Sequence, residues 1–527
     1  MPKLTIDGRV VEVAPGINLI EAARAAGVEV PYFCYHPHLS VVGQCRICMV
    51  EIEGQPRLAI ACATPAAEGM VVKSETSERV KEARAAVMEF LLANHPLDCP
   101  VCDQAGECLL QDHSFSDGTD FTNMVETRRT FPGYERRLIG PHIIQNQNRC
   151  IHCSRCIRFT QEISETAALT YKSRGNRAFI DTFNGRAFDD PFSGCTADVC
   201  PVGALTVREF RFRKRAWRLR STPSVCPGCS IGCNLFIDHH ERVVYRYSPR
   251  ESPAINATWL CDYGRFLAES LNDHKVLHPQ RQRAGAPERI AWGEAIGLFA
   301  ARLATARQVG VVASANLSNE ELYLARELFA GAEIVVPVSP GPERRMKNAQ
   351  REWLHAADSH PNAAGARRLS LATVDAAGLA TFLARPRDLT VVLDPLAHPA
   401  LGEEAALTAL ARPGVVAFGR TAQPLLERAE LVLPVASLAC DTGTFTSSTG
   451  AVQRFEAAFA PPGEARPLWQ TLLVLARERS LAPLANLDGP AEVFTLMAER
   501  VQGFAGLKWA QLGGLRDESY REHQHVG

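Results

Sequence analysis

Cysteines, together with one histidine, are the residues of this chain best suited to chemistry, and they are unevenly distributed. Sixteen of the seventeen cysteines lie in the first 261 residues. A thiolate can bind iron or zinc or form a disulfide, so spacing and context must decide between these uses. All but one of the sixteen fall into four groups, and each group supplies four ligands once the histidine is included.

The first group combines a close pair with two outlying thiolates: Cys34, Cys45, Cys48 and Cys62. This pattern is typical of a 2Fe-2S site, although the ten-residue first gap departs from the C-x4-C opening of plant-type ferredoxins. Residues 3–13 alternate apolar and polar around Asp7-Gly8, which predicts a hairpin, and Asn18 is suited to cap a helix over 19–26. We therefore expect a variant ferredoxin module with its ligands on a loop.

The second group is one imidazole with three thiolates: His95, Cys99, Cys102 and Cys108. Pro96, Pro100 and Gly106 exclude a continuous helix, so this segment is predicted to be a loop that follows a helix over 78–92. By ligand chemistry alone, the group suits either zinc or a 4Fe-4S cluster. The neighbouring cysteine groups favour the cluster.

The third group is a C-x2-C-x2-C triplet with a distant Cys-Pro: Cys150, Cys153, Cys156 and Cys200. In bacterial ferredoxins such a triplet shares one 4Fe-4S cluster with the remote cysteine, and the local fourth cysteine serves a second cluster. Here Ile157 follows Cys156 directly and the local fourth cysteine is missing, so one cluster is expected. Cys195 is left over and is predicted to be a buried structural thiol, with a role as substitute ligand for Cys200 as the alternative.

The fourth group is a compact triplet with a distant single cysteine: Cys226, Cys229, Cys233 and Cys261. Zinc ribbons usually pair two short knuckles, so this spacing favours a 4Fe-4S cluster. A disulfide framework would require an exported protein, and the start of the sequence has no apolar segment of the signal-peptide type. The expected setting is therefore a reducing one, with inorganic cofactors on the thiolates.

Composition limits the remaining choices. The 527 residues suffice for about three to five domains, and 46% hydrophobic with 22% charged residues is ordinary for a globular protein. No apolar run is long enough to span a bilayer, so membrane association is expected only through partners. The net charge of −1 gives no reason to expect nucleic acid. A basic and aromatic run over 208–220 could grip a single strand, but its place between the third and fourth groups favours contact with the clusters or an acidic partner.

The half of the chain after Cys261 has a different character. Short apolar strands recur between helical stretches, which predicts a parallel, doubly wound sheet with strands at Val309–Ala313, Ile334–Val338, Leu389–Leu393 and Val415–Phe418. Ser318 and Glu321 form a capping box that predicts a helix start. Residues 339–377 give weak signals and are predicted to be rich in loops.

This second half shows no marked catalytic residues. The hydroxyl-rich segment 443–450 could line an anion or pterin phosphate site, but without a P-loop pattern a plain turn is favoured. Cys440 is predicted to be a core thiol. The sequence has no convincing GxGxxG at a helix start, so no nicotinamide or flavin site is predicted, and no complete active site is expected on this chain alone.

The four cysteine groups, in this order, resemble the large iron–sulfur subunit (75-kDa type) of NADH:quinone oxidoreductase, respiratory complex I. The resemblance is strong over residues 1 to about 270 and continues less specifically to about 475, where GTFTSSTGAVQRFEAAFAPPGEARP is similar to a late stretch of the family. It implies one 2Fe-2S cluster on the first group and a 4Fe-4S cluster on each of the others, the fourth lying off the main electron route. Electrons would arrive from NADH through a flavin-containing subunit and leave toward quinone.

The fold class implied is multidomain α+β and α/β, with ferredoxin-like iron–sulfur modules followed by a shortened molybdopterin-oxidoreductase-like doubly wound domain. Five domains are expected. The first three are a 2Fe-2S β-grasp domain over 1–78, a 4Fe-4S domain with one histidine and three cysteine ligands over 79–118, and a 4Fe-4S ferredoxin-like domain over 119–218. A 4Fe-4S domain of molybdopterin-oxidoreductase type follows over 219–275, and a truncated α/β domain over 276–527 ends in a polar tail, Arg516–Gly527.

The second half departs from the catalytic molybdopterin enzymes that it resembles. Those commonly have a lysine two residues after the fourth cluster cysteine, where this chain has Tyr263, and no cysteine lies between Cys261 and Cys440. No molybdenum is therefore predicted. The resemblance implies partners in the peripheral arm of complex I and a position on the cytoplasmic side of the inner (plasma) membrane.

Two alternatives remain at this point. A soluble NAD-linked formate dehydrogenase or hydrogenase shares the N-terminal modules, but the first would need a full-length pterin domain and the second further cysteines. A zinc-dependent structural protein would be colourless, whereas an iron–sulfur protein is brown.

Overall fold

The computed structural model describes residues 1–274, 276–283, 286–341, 343–393, 399–411, 413–421 and 424–512. The chain divides into two compact units between Arg218 and Leu219. The predicted polar tail Arg516–Gly527 lies outside the described residues. Within these ranges, no helix is both long enough and apolar enough to cross a membrane.

The first unit begins with a five-stranded mixed sheet, whose strands in chain order are Lys3–Ile6, Arg9–Glu12, Met49–Ile52, Ala59–Ile60 and Val71–Lys73. The predicted hairpin is confirmed, because the first two strands pair antiparallel around Asp7, which takes a positive φ of 44°. Asn18 caps the helix Leu19–Ala25 as expected, since its side chain accepts from the amides of Ile20 and Glu21. The loop between the helix and the third strand carries Cys34, Cys45 and Cys48.

The rest of this unit consists of one helix of 16 residues and several short elements, joined by loops. Its remaining helices are Glu78–Ala93, Leu109–Ser116, Arg155–Glu162 and Ser193–Asp198. Its remaining strands form a three-stranded antiparallel sheet and a hairpin: Arg137–Leu138, Ile143–Gln145 and Leu205–Val207, then Leu169–Lys172 and Phe179–Thr182. The predicted helix over 78–92 is confirmed, and the segment from His95 to Cys108 is a loop with one short 3-10 turn, as its prolines require.

The second unit opens with a three-stranded antiparallel sheet: Arg220–Val225, Asn234–His240 and Val243–Pro249. The loop between its first two strands carries Cys226, Cys229 and Cys233. Cys261 follows the sheet and precedes the short helix Asp262–Phe266. The fourth ligand group thus lies at the start of this unit.

An eight-stranded sheet forms the centre of the second unit. From one edge to the other, its strands are Ala286–Arg289, Gln280–Arg283, Leu431–Pro434, Val415–Gly419, Leu389–Leu393, Val309–Ala313, Glu333–Pro337 and Ala372–Val374. The last six strands pair in parallel. Gln280–Arg283 pairs antiparallel with both of its neighbours, Ala286–Arg289 and Leu431–Pro434. The four predicted strands are present, and the doubly wound expectation is confirmed.

Helices cover both faces of this sheet. Successive strand residues point to opposite sides, and apolar residues on both sides must be buried. Val311 and Ala313 pack with Phe299 and Leu322 in one apolar core, whereas Val312 packs with Phe382 in another. The helices of this unit after the first short one are Trp292–Thr305, Asn319–Leu328, Ala363–Arg368, Ala376–Ala384, Glu404–Leu410, Pro424–Arg428, Leu468–Glu478 and Pro490–Arg500.

Local signals were informative to different degrees in this unit. The predicted capping box is present, since Ser318 Oγ accepts from the Glu321 amide and the Glu321 carboxylate accepts from the Ser318 amide. Residues 339–377 contain more regular structure than predicted, namely a hairpin of Arg345–Lys347 with Trp353–His355, in addition to the strand and helices already named. These elements are three to six residues long over most of the segment, too short to leave a periodic signal.

The hydroxyl-rich segment is a hairpin, Gly443–Thr446 with Val452–Phe455, joined by a turn as favoured. Its hydroxyls bond within the protein: Thr444 Oγ1 donates to the Glu320 carboxylate at 2.7 Å, and Thr446 Oγ1 donates to the Asn319 side chain at 3.1 Å. Two hydroxyls of the supposed anion site thus serve the packing of the helix Asn319–Leu328.

Glu320 makes the stability of the second unit dependent on pH. Burial raises the pKa of this fully buried carboxyl from 4.5 to about 7, so the folded state binds the proton more tightly than the unfolded chain. The stabilisation is complete below pH 4.5 and is lost as the pH rises through 7, an effect on the order of 3 kcal/mol. We expect Glu320→Gln to reduce the loss of protection between about pH 5 and pH 8, measured by hydrogen exchange in Gly443–Thr446.

The neighbouring carboxyls Glu321 and Asp441 also have raised pKa values because they are buried, so part of the pH dependence remains in this variant. Glu327→Gln, on the outer side of the same helix, is the matched control and should behave as the parent. An unchanged pH dependence in Glu320→Gln would contradict the prediction.

Candidate metal centres

The first ligand group forms two close thiol pairs in the first unit. The Cys34 amide lies 3.4 Å from Cys45 Sγ, and the Cys45 amide lies 3.5 Å from Cys34 Sγ. Hydrogen bonding within this pair lowers the pKa of Cys34 to about 5 and raises that of Cys45. The pair of Cys48 and Cys62 behaves in the same way, with the lowered pKa on Cys62. Such pairs suit two iron atoms that are each held by two thiolates.

The second ligand group lies on the loop that follows the helix Glu78–Ala93. Cys102 and Cys108 are buried, and Cys99 is exposed. Burial lowers the pKa of His95 to about 4, so its imidazole is neutral at pH 7, the form that binds metal. Its Nδ1 atom is buried and has no hydrogen-bond partner among the described residues. A buried, unprotonated and unpartnered nitrogen fits a metal ligand.

The third ligand group lines a cavity. Cys150, Cys153, Cys156 and Cys200 all border it, together with apolar side chains such as Ile180 and Val202. Burial raises the pKa of all four thiols, that of Cys153 to about 11. A space whose wall carries four convergent sulfur ligands fits a 4Fe-4S cluster.

Cys195 is not among the residues that line this cavity. It is fully buried in the short helix Ser193–Asp198, as expected of a structural thiol. The geometry therefore favours Cys200 over Cys195 as the fourth ligand. Cys440, the lone cysteine of the second half, is also buried.

Cysteines of the fourth ligand group lie against two glycines, Gly228 and Gly264. A Cβ on Gly264 would lie 2.7 Å from Cys226 Sγ and 3.6 Å from Cys261 Sγ, so these two sulfurs converge on one point although 35 positions separate them. The Gly228 amide donates to Cys226 Sγ at 3.4 Å. Burial raises the pKa of all four thiols of the group, that of Cys229 to about 11.

Within the described residues, no three His, Cys, Asp or Glu side chains are close enough to hold a single metal ion. This spacing is compatible with clusters, whose thiolates bind different iron atoms and therefore stand farther apart than the ligands of one ion.

Arginines accompany three of the ligand groups; those beside the second and third groups are buried, and the one beside the fourth is partly buried. Arg149 donates to Asp98 at 2.6 Å beside the second group, Arg155 and Arg158 flank Cys156 of the third, and Arg344 donates to the Gly228 carbonyl beside the fourth. Thiolates taken out of water need compensating charge, which a guanidinium provides at any ordinary pH. The positions of Arg155 and Arg158 next to Cys156 were a usable signal, whereas nothing local marked Arg344.

The basic run over 208–220 packs on the second ligand loop. Arg215 Nη1 donates to the Cys102 carbonyl at 2.7 Å, and the Phe212 amide donates to Asp103 at 2.8 Å. Trp217 lies over Gly106, where a Cβ would come within 2.5 Å of the indole ring. The part of the run from Phe212 to Trp217 therefore contacts the second ligand loop within the first unit.

The first three ligand groups border one shared apolar cluster, which we call the central cluster. Its buried members include Phe33, Ile47, Leu110 and Val202, and four ligand cysteines take part in or pack against it, namely Cys45, Cys108, Cys150 and Cys200. The segment after Cys200 touches the second group directly, because a Cβ on Gly203 would lie 2.3 Å from Cys102 Sγ. The three groups of the first unit are therefore immediate neighbours.

Five family models match the chain in succession. The 2Fe-2S iron-sulfur cluster binding domain matches 2–77, the NADH-ubiquinone oxidoreductase-G iron-sulfur binding region matches 84–119, and the NADH-quinone oxidoreductase subunit 3 ferredoxin-like domain matches 140–206. The molybdopterin oxidoreductase Fe4S4 domain matches 219–273, and the molybdopterin oxidoreductase model matches 410–478. These matches confirm the expected fold class.

Two curated relatives and one solved structure illustrate the similarity. The mitochondrial NADH-ubiquinone oxidoreductase 78 kDa subunit of Candida albicans is 38% identical over 333 residues, which are 62% of this chain and 46% of that protein. The NADH-ubiquinone oxidoreductase 75 kDa subunit of Reclinomonas americana is 36% identical over 359 residues, 67% of this chain and 51% of that protein. A chain of an NAD+-reducing [NiFe]-hydrogenase in the H2-reduced state is 31% identical, covering 40% of this chain and 90% of its own, with a TM-score of only 0.35.

The chain spans about half the length of the curated relatives it matches. Both relatives are named as subunits of an NADH-ubiquinone oxidoreductase, of 78 and 75 kDa, and two of the matching family models are named for NADH oxidoreductases of this kind. The ligand groups, their order and these similarities together show that the chain belongs to the family of the large iron–sulfur subunit (75-kDa type) of NADH-quinone oxidoreductase.

Proposed function

We propose that this chain is the electron-transfer subunit of an NADH:quinone oxidoreductase. It would relay electrons from a flavin-containing, NADH-oxidising subunit through its clusters toward quinone. The observation that carries the proposal is the central cluster, around which three ligand groups of iron–sulfur type adjoin one another. Neighbouring redox centres in a buried apolar setting are what stepwise electron transfer requires.

The ligand assignment is part of this proposal. The 2Fe-2S cluster is assigned to Cys34, Cys45, Cys48 and Cys62, and the three 4Fe-4S clusters to His95 with Cys99, Cys102 and Cys108, to Cys150, Cys153, Cys156 and Cys200, and to Cys226, Cys229, Cys233 and Cys261. When bound, these groups would supply reversible one-electron oxidation and reduction. The five domains expected from the sequence are proposed with the same bounds.

The protein's own residues would bind the clusters and set their surroundings. The buried cysteines supply thiolate ligands and exclude water, and the adjacent arginines offset the negative charge that accumulates. His95 supplies a neutral ligand in place of a thiolate, so its centre carries one negative charge fewer than a four-cysteine centre. No residue of the chain is assigned to bind NADH or quinone.

We propose that the second unit is a scaffold without molybdenum. The family match over 410–478 concerns its fold, and Tyr263 stands where catalytic relatives commonly have lysine. The hydroxyls of Thr444 and Thr446 bond to the helix Asn319–Leu328. Stoichiometric molybdenum in the purified protein would overturn this part.

The proposal includes partners and a location. The partners are the flavin-containing subunit and other subunits of the peripheral arm, and contact with the membrane is made through them. The chain would lie on the cytoplasmic side of the inner (plasma) membrane. No nucleic-acid partner is proposed.

A reduction experiment tests the proposed function against its alternative. The tagged chain, isolated anaerobically with its partners, should show iron–sulfur EPR signals that appear on addition of NADH. Reduction by hydrogen gas or formate in the same preparation would instead favour the subunit of a soluble hydrogenase or formate dehydrogenase. If NADH, hydrogen and formate all failed to produce these EPR signals, both the proposed function and its alternative would be contradicted.

The fourth cluster is proposed to lie off the main route, and one variant tests this. Cys229→Ala removes a buried ligand of that group, so one 4Fe-4S EPR signal should disappear while most NADH-to-quinone turnover remains in the assembled complex. Turnover and EPR spectra of the same preparation make the measurement. A collapse of turnover with full assembly would place this cluster on the route.

A further inference from the structure

Arg158 connects the backbones of two ligand groups. It lies in the helix Arg155–Glu162 and is only 5% exposed. Its Nη2 atom donates to the carbonyl of Cys34, in the first group, and to the carbonyl of Cys153, in the third group, at 3.4 Å. Its Nη1 atom donates to the Ser40 carbonyl. One guanidinium therefore spans both ligand loops.

Other side chains of the same helix reinforce this connection. Arg155 Nη2 donates to the Tyr35 carbonyl, and the Glu162 carboxylate accepts from the Ser40 amide at 2.9 Å and from the Ser40 hydroxyl. The helix that carries Cys156 thus holds the segment 34–40 of the preceding module through three side chains. Fork-shaped donation to several carbonyls is specific to arginine, since lysine has a single nitrogen.

The guanidinium also brings a buried positive charge to both groups. The negative groups that face Arg158 are the thiolates of Cys34 and Cys153 and the Glu162 carboxylate. A one-electron reduction adds one negative charge to a centre, so a cation nearby favours the reduced form. In a poorly solvated interior this attraction is much stronger than in water.

We infer that Arg158 is a positioning residue shared by two redox centres, which fixes the first ligand loop against the third and raises the reduction potential of both. The inference rests on the proposed function, in which an upstream donor supplies each electron and the next centre accepts it, with no bond made or broken at Arg158.

A redox titration of the cluster-loaded full chain, followed by EPR, tests this inference. In Arg158→Gln, the ratio of reduced to oxidised centre at a fixed ambient potential should fall by roughly tenfold for the first and third clusters, a shift of about 59 mV to more negative potential. The potentials of the second and fourth clusters should stay unchanged. Arg158→Lys, which keeps the charge, should recover most of the shift.

Arg79→Gln is the matched control, because Arg79 also donates to a backbone carbonyl, that of Pro56, but on the surface. Unchanged first and third potentials in a fully loaded Arg158→Gln chain, or an equal shift of all four clusters, would overturn the inference. If that variant fails to load, Arg158→Lys carries the test, since it keeps the charge but not the forked contacts: first and third potentials close to those of the parent are expected, and a tenfold change in either ratio would overturn the inference. Absence of iron from the parent chain would instead defeat the proposed function itself.

Discussion

Replacement of Cys153 by alanine is expected to abolish NADH-to-quinone electron transfer in the assembled complex. Cys153 is buried and borders the cavity of the third ligand group, where no spare thiol faces the space among the lining residues. A 4Fe-4S cluster left with three ligands should be lost or converted to a smaller cluster. Because the third group adjoins the first two at the central cluster, its loss should interrupt the proposed route. Turnover with NADH and quinone, combined with EPR of the reduced complex, measures both effects.

Cys195→Ala is the control for this experiment. Cys195 is buried even more deeply in the same unit but does not line the cavity, so its removal should leave the third cluster and the turnover intact. Unchanged turnover in Cys153→Ala would contradict the placement of the third cluster on the route. Loss of the third cluster in Cys195→Ala would instead support Cys195 as a ligand of that cluster.

Gly203→Val is expected to eliminate or displace the second cluster without removing any ligand. A Cβ at this position would lie 2.3 Å from Cys102 Sγ, a distance that atoms in contact do not adopt, and the valine side chain adds further bulk. The neighbours leave little room, since Arg149 lies on the same side and donates to the Gly203 carbonyl. Cys102 must therefore move away from its ligand position.

Iron analysis and EPR measure this effect, with a loss of about four iron atoms per chain and of one 4Fe-4S signal. Gly293→Ala provides the matched control, because a Cβ there meets nothing within 4 Å. Its iron content should equal that of the parent. Retention of all clusters with unchanged spectra in Gly203→Val would contradict the assignment of Cys102.

Local patterns in the sequence were sufficient to predict much of the fold. The hairpin around Asp7-Gly8, the cap at Asn18 and the box at Ser318 and Glu321 each depend on residues a few positions apart, so the sequence shows them directly. Buried parallel strands such as Leu389–Leu393 are recognisable because apolar residues face helices on both sides. The short elements within 339–377 leave no comparable signal.

The candidate site was predictable as sets of ligands but not as an arrangement. Cysteine spacing indicated which residues share a centre, because ligands on one loop must be close in sequence. The contact of Gly203 with Cys102 and the bridge made by Arg158 join residues more than 100 positions apart, and only the folded chain brings them together. Arginines that accompany ligands have no spacing rule of their own, which is why nothing local in the sequence marked Arg344.

Metal analysis of the anaerobically purified chain tests the central claim most directly. Four ligand groups that hold one 2Fe-2S and three 4Fe-4S clusters predict about 14 iron atoms per chain, a matching amount of sulfide and no molybdenum. A value about four lower would mean that one 4Fe-4S group is empty, with the fourth as the first candidate. Zinc in place of iron would contradict the electron-transfer function altogether.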